Sequence, residues 1–242
     1  MDRVLFYKNM MKVAQRLPDH YKKRYDNFVN NTLHSPHMAY EEGNWKKIEG
    51  TNEIYPMSYF NIPPKVIHPP EMDKGLFSGE GLVVGFKKRT DKQTYEIPRT
   101  WKPPVVEELF YSEVLDRWMM ILVTMRTLNL IEKCGGFDDY IIKLSDAEIH
   151  SRLGLHLKRE MLMKLANKER LYPNDVNKRN ELLEKFKDFI IPESEASWVG
   201  YTLSEAIFRQ MKIDEESKDK KPLKIRLLKE YLASVKSLGN VN

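Results

Sequence analysis

Cysteine is almost absent from these 242 residues: Cys134 stands alone. One thiol cannot close an intramolecular disulfide or supply a Cys-based structural zinc site, so the chain suits a reducing compartment. Its setting, Lys133-Cys134-Gly135-Gly136, has no histidine nearby in sequence and reads as a helix end, not a nucleophile. Long apolar runs are missing too. The longest, Trp118 to Val123, is strand-length, whereas a membrane span needs roughly 18–20 residues. No membrane span is expected.

The compact signatures of reaction centres are also lacking. The chain has no Walker-type phosphate loop, no G-x-G-x-x-G, no H-E-x-x-H, no G-x-S-x-G and no EF-hand spacing. Gly79-x-Gly81 followed by Gly85 is a partial glycine signal without the helix that a dinucleotide site requires. The histidines (His20, His34, His37, His68, His150, His156) are scattered, and the nearest pair, His34 and His37, lacks a third ligand. The acid pairs Glu107-Glu108 and Asp138-Asp139 read as strand and turn residues, not as an acid–base couple. No repeat of 20–50 residues is visible, which excludes a solenoid. The expectation is a non-enzyme with no cofactor, no metal and no small-molecule substrate.

What the chain does have is charge, unevenly spread. Charged residues make up 31% and hydrophobic residues 41%, with a net charge of +5. Residues 1–70 hold ten basic and seven acidic residues, residues 71–150 eleven and fourteen, and residues 151–242 nineteen and fourteen. A protein that met nucleic acid with its whole surface would be more lopsided. The local cluster Lys87, Lys88, Arg89, Lys92, Arg99 and Lys102, broken by Asp91 and Glu96, has two readings: a polyanion-binding loop, or a solvated turn. Trp101 and Phe110 can stack on unpaired bases or pack in a core. Arg126, at a strand-to-helix junction, can fork onto phosphates or make an intramolecular ion pair.

The pattern along the chain divides it into four. In residues 1–17, Phe6, Tyr7, Met10, Met11, Val13, Ala14 and Leu17 share one helical face and basic and amide residues the other. That is a targeting-type segment or a helix docked on the body. Residues 18–74 are rich in proline and aromatics, with Pro36, Pro56, Pro63-Pro64 and Pro69-Pro70 among Tyr40, Trp45, Tyr55, Tyr59 and Phe60. They read as an extended arm that lies over another surface. Residues 75–144 read as a strand at Leu82-Val83-Val84, a β-hairpin turning at Asp116-Arg117, and a helix capped by Thr127 and stopped by Gly135-Gly136. Residues 145–242 read as helices, with capping boxes at Ser145–Glu148 and Thr202–Glu205. The fold class is α+β: a small hairpin core, a Pro-rich arm and a mainly α-helical C-terminal extension.

Within that frame, Arg99-Thr-Trp-Lys-Pro103, Phe110-Tyr-Ser112, Val123-Thr-Met-Arg-Thr-Leu-Asn-Leu-Ile131 and Gly136-Phe-Asp138 resemble the core of bacterial-type large-subunit ribosomal protein twenty-eight. Further segments resemble the mitochondrial form of that family, in order along nearly the whole chain: Arg16–Tyr21, Gly75–Gly81, Leu157–Leu162, Ile191–Glu193, Trp198–Gly200 and Thr202–Ile207. The resemblance implies a structural constituent of the mitochondrial large ribosomal subunit, in the matrix, bound to rRNA and to neighbouring ribosomal proteins. Carried over by position, Lys87, Lys88, Arg89, Lys92, Arg99, Lys102 and Arg126 would meet rRNA, with Trp101 beside them. Some bacterial members carry paired cysteines in an amino-terminal ribbon; here there are none, and no zinc is expected. The acidic excess over residues 71–150, around Glu107, Glu108 and Glu113, implies protein neighbours on that side. A free mitochondrial RNA-binding or ribosome-assembly protein is the alternative.

Overall fold

The computed structural model describes residues 8–30, 36–38, 41–48, 50, 53–87, 97–169, 171–217 and 223–239. The strands are β1 (Trp45–Lys47), β2 (Ile54–Pro56), β3 (Lys65–Ile67), β4 (Leu82–Lys87), β5 (Ile97–Trp101), β6 (Val105–Ser112) and β7 (Arg117–Thr124). The helices are α1 (Lys8–Gln15), α2 (Asp19–Asn30), α3 (Met125–Cys134), α4 (Phe137–Lys143), α5 (Asp146–Ile149), α6 (Arg152–Ala166), α7 (Val176–Lys185), α8 (Glu193–Ala196), α9 (Leu203–Ser217) and α10 (Leu223–Gly239). Short antiparallel sheets precede a mainly helical second half, so the α+β class holds. The chain forms two units, Pro18–Tyr201 and the two chain ends, Met1–Leu17 with Thr202–Asn242.

In the larger unit the hairpin β6–β7 presents its inner face to a helical layer. Register pairs Val106 with Val123, Glu108 with Ile121, Phe110 with Met119 and Ser112 with Arg117. Residues directly opposite in an antiparallel pair point to the same side, so this alternation aims Ile121, Val123 and Phe110 inward. They join Leu76, Ile131, Phe137, Tyr140, Ile141, Leu157, Met161, Leu165 and Phe186 in one continuous core. Leu76, fully buried, extends the sheet through a parallel bridge to Val123, its N–H donating to Leu122 O at 2.8 Å. Behind it a buried hydroxyl chain fixes the strand-to-helix corner. Ser78 Oγ lies 2.7 Å from the Tyr140 hydroxyl and 3.0 Å from Thr127 Oγ1, and Thr127 Oγ1 donates to Leu76 O. Burial pushes the Tyr140 phenol up to about 12.

Three local expectations change. The hairpin does not turn at Asp116-Arg117. The strand stops at Ser112, and a four-residue loop follows, in which Val114 and Leu115 are buried. The reason is a clasp from α4: Val114 N–H donates to Asp138 Oδ2 at 2.9 Å, while Leu115 N–H donates to Ser112 Oγ. Likewise Thr127 is not the cap of α3. Strand conformation persists to Thr124, whose hydroxyl accepts the Thr127 N–H, leaving Thr127 inside the first turn and buried. Residues 19–30 are helical (α2) rather than extended. No proline lies between Pro18 and Pro36 to stop them, and Tyr21 gives the helix an inward anchor. The glycine stop and the Ser145–Glu148 capping box form as expected, with Gly135 left-handed at φ 91°.

Gly154, in the first turn of α6, is required by space. A Cβ there would sit 2.3 Å from Ile149 Cγ2 and 2.9 Å from Leu76 Cδ2, both on fully buried side chains. Gly154→Ala should therefore destabilise the protein by up to about 2 kcal/mol. Overpacking of about 1–3 kcal/mol outweighs a helix-propensity gain of about 1 kcal/mol. Chemical denaturation of the purified chain measures it.

In the smaller unit α1 packs on α9. Val13 and Leu17 are buried, and Arg16 pairs with Asp214 at 3.0 Å. Helix α1 thus rests on α9. Thr202 and Glu205 exchange bonds reciprocally at the start of α9, as the sequence pattern expects. Along α10, Leu223, Leu227, Leu228, Tyr231, Leu232 and Val235 are exposed.

Candidate nucleic-acid interface

Of the expected cations, Lys87 and Arg99 lie on the sheet β3–β4–β5. Its register pairs Val66 with Val83, Val83 with Trp101, Gly85 with Arg99 and Lys87 with Ile97. One face therefore carries Val83, Lys87, Ile97, Arg99 and Trp101 together, with Gly85 between them. The glycine makes room for the indole: a Cβ at position 85 would lie 3.1 Å from the Trp101 ring. The Arg99 guanidinium sits over the same ring, 5.6 Å from its centroid. Every residue of β5 is exposed, Trp101 at 40%. Lys102, exposed, follows directly where the strand ends.

Arg126 stands on a different element, in the first turn of α3, and is exposed. Among the described residues Lys87, Arg99, Lys102 and Arg126 make no ion pair, so their charge is not consumed internally. Lys88, Arg89 and Lys92 lie outside the described residues. Phe110, weighed for stacking on bases, is taken by the core: it stacks on Phe137 with centroids 5.0 Å apart.

The arrangement can hold phosphates and a planar ring. The Arg99 guanidinium lies over an indole partly open to solvent, with Lys87 further along the same face, a combination that can meet unpaired nucleotides through charge and stacking. The Asp138-Asp139 pair serves structure. Asp138 clasps the hairpin loop, with burial pushing its carboxyl up against the pull of Ser112 and the Val114 and Glu113 N–H groups. Asp139 is tied to Lys143 and Lys185, each at 2.7 Å. Among the described residues no three His, Cys, Asp or Glu side chains gather to hold a metal. No described helix is long and apolar enough to cross a membrane.

One feature escaped the sequence reading. Trp118, Met120 and Leu109 share the outer face of the hairpin and stand 65%, 72% and 58% exposed. The signal was in the run Trp118 to Val123, apolar at both alternations. A strand of that kind is written to be covered on both sides.

Exposed cations beside an exposed indole, an uncovered apolar sheet face and a solvent-facing helix stripe define a protein that works by docking on larger partners. Comparison with known proteins gives the class a name. No family model matches the chain. It is 38% identical over 218 residues to the large ribosomal subunit protein bL28m of Xenopus laevis, covering 87% of this chain and 82% of that protein. The bL28m of Drosophila melanogaster is 31% identical over 229 residues, covering 94% and 75%. That of Bos taurus is 42% identical over 165 residues, covering 67% and 64%. The chain belongs to the bL28m family of large ribosomal subunit proteins.

Proposed function

We propose that this chain is a structural constituent of the mitochondrial large ribosomal subunit, and that it meets the subunit's rRNA through the β4–β5 face and the first turn of α3. The observation that carries the first half is the kinship with bL28m over most of both chains. The role is architectural, not catalytic. Support for the RNA half comes from Lys87, Arg99 and Trp101 on one sheet face, from Lys102 directly after β5, and from Arg126, all exposed, the cations free of ion pairs among the described residues. Lys88, Arg89 and Lys92 belong to the same proposal by their place in the sequence between β4 and β5.

Sedimentation of a mitochondrial lysate tests it. The chain should co-migrate with the large subunit and stay there through a high-salt wash, because a constituent is held by many contacts at once. Recovery mainly in the light fractions would replace the reading with that of a free RNA-binding or assembly protein.

A further inference from the structure

The outer face of the β6–β7 hairpin is built unlike the β4–β5 face. Register places Val105, Glu107, Leu109 and Tyr111 of β6 beside Thr124, Leu122, Met120 and Trp118 of β7 on this side. Tyr111 and Trp118 pack together with ring centroids 5.1 Å apart, leaving the indole 65% exposed and Met120 72% exposed beside it. Neither side chain reaches the core, which uses the opposite alternation. A contiguous apolar face of this kind marks an interaction surface.

Charge decides what covers it. The only cation on either strand is Arg117, and it is spent on Glu160 at 2.6 Å. Glu107 lies on the face, and Glu113 and Asp116 at its loop end, all exposed. Glu107 has no ion pair among the described residues. A phosphate backbone approaching this surface would meet carboxylates and no free cation from either strand, which is repulsive. A polypeptide with apolar side chains flanked by lysine or arginine would bury the indole and thioether and meet those carboxylates with opposite charge.

We infer that the outer face of the β6–β7 hairpin, centred on Leu109, Trp118 and Met120, docks a basic, apolar segment of a neighbouring protein rather than rRNA. The inference rests on the ribosomal reading above. It divides the chain's surface into an RNA side and a protein side.

The test uses the full chain carrying Met120→p-benzoylphenylalanine, expressed in mitochondria in place of the natural chain. The large subunit is isolated first. If the labelled chain is missing from it while the unlabelled chain is present, the face is needed for docking. If both are missing, the ribosomal reading itself fails. Irradiation of the recovered subunit should then join position 120 to a peptide of another protein with net positive charge. An adduct with rRNA, with an acidic peptide or within the same chain overturns the inference, as does no adduct at all. A second arm separates partner classes by sign. Glu107→Lys should lower occupancy after a salt wash roughly threefold or more if the partner is basic protein. Occupancy unchanged or raised, the outcome expected of an RNA partner, overturns it.

Discussion

Asp146→Asn is expected to cost about 3 kcal/mol of folding stability, the scale of removing one partner from a buried ion group. Asp146 begins α5 and accepts bonds from two cations on different elements. Arg24 of α2 forks onto it, and Lys158 of α6 lies 3.0 Å away with only 6% of its side chain exposed. Asparagine keeps the shape but leaves Arg24 and Lys158 facing each other with no anion between them. Lys158 could then rely only on the Leu144 carbonyl. The helix α2 would lose its clasp to the body, so the loss should show as a lowered unfolding midpoint and as earlier proteolysis within residues 18–30.

The same carboxylate sets a pH dependence. Burial pushes the Asp146 carboxyl up, but Lys158 and Arg24 more than offset this and hold it below the ordinary carboxylate range. A depressed folded value means the stabilisation is complete above about pH 4, the unfolded aspartate value, and is lost as pH falls through the depressed one. The gap in stability between wild type and Asp146→Asn should therefore be constant from pH 7 to about pH 4 and narrow as pH falls further. A gap that does not narrow below about pH 4 would remove the ion group from the account.

The second large effect concerns incorporation rather than folding. Lys87→Glu, Arg99→Glu and Arg126→Glu together should reduce occupancy of the large subunit by about tenfold or more, because carboxylates would replace three phosphate-neutralising groups. For the isolated full chain on large-subunit rRNA fragments, each position removed should flatten the logarithmic salt dependence of binding by about 1. Folding should be nearly untouched, within about 0.5 kcal/mol, since all three side chains are exposed and make no ion pair among the described residues. Equal loss of stability and occupancy would show that these residues act on the fold and not on RNA.

Much of this was legible in the sequence because it is encoded locally. The strand at Leu82–Val84, the glycine stop after Cys134 and the two capping boxes depend on residues within four positions of each other. What sequence reading placed wrongly depends on distant partners. The hairpin loop is fixed by Asp138, 24 residues from Val114, and Thr127 is drawn inward by Leu76 and Ser78, about fifty residues away. The cationic cluster was visible as composition. That Lys87 and Arg99 share one sheet face with Trp101, which lies over Gly85, follows only from the register between β4 and β5. The outer face of the hairpin was missed because six apolar residues in a row do not say which side is covered by the chain itself.

The division of the surface into an RNA side and a protein side is tested most directly by ultraviolet cross-linking of the intact large subunit, with the linked peptides of this chain identified by mass spectrometry. The account predicts nucleotide adducts on the peptides holding Lys87, Arg99, Trp101 and Lys102 and on that holding Arg126, with none on Leu109, Trp118 or Met120. Nucleotide adducts on the hairpin's outer face, with the β4–β5 face unmarked, would contradict it.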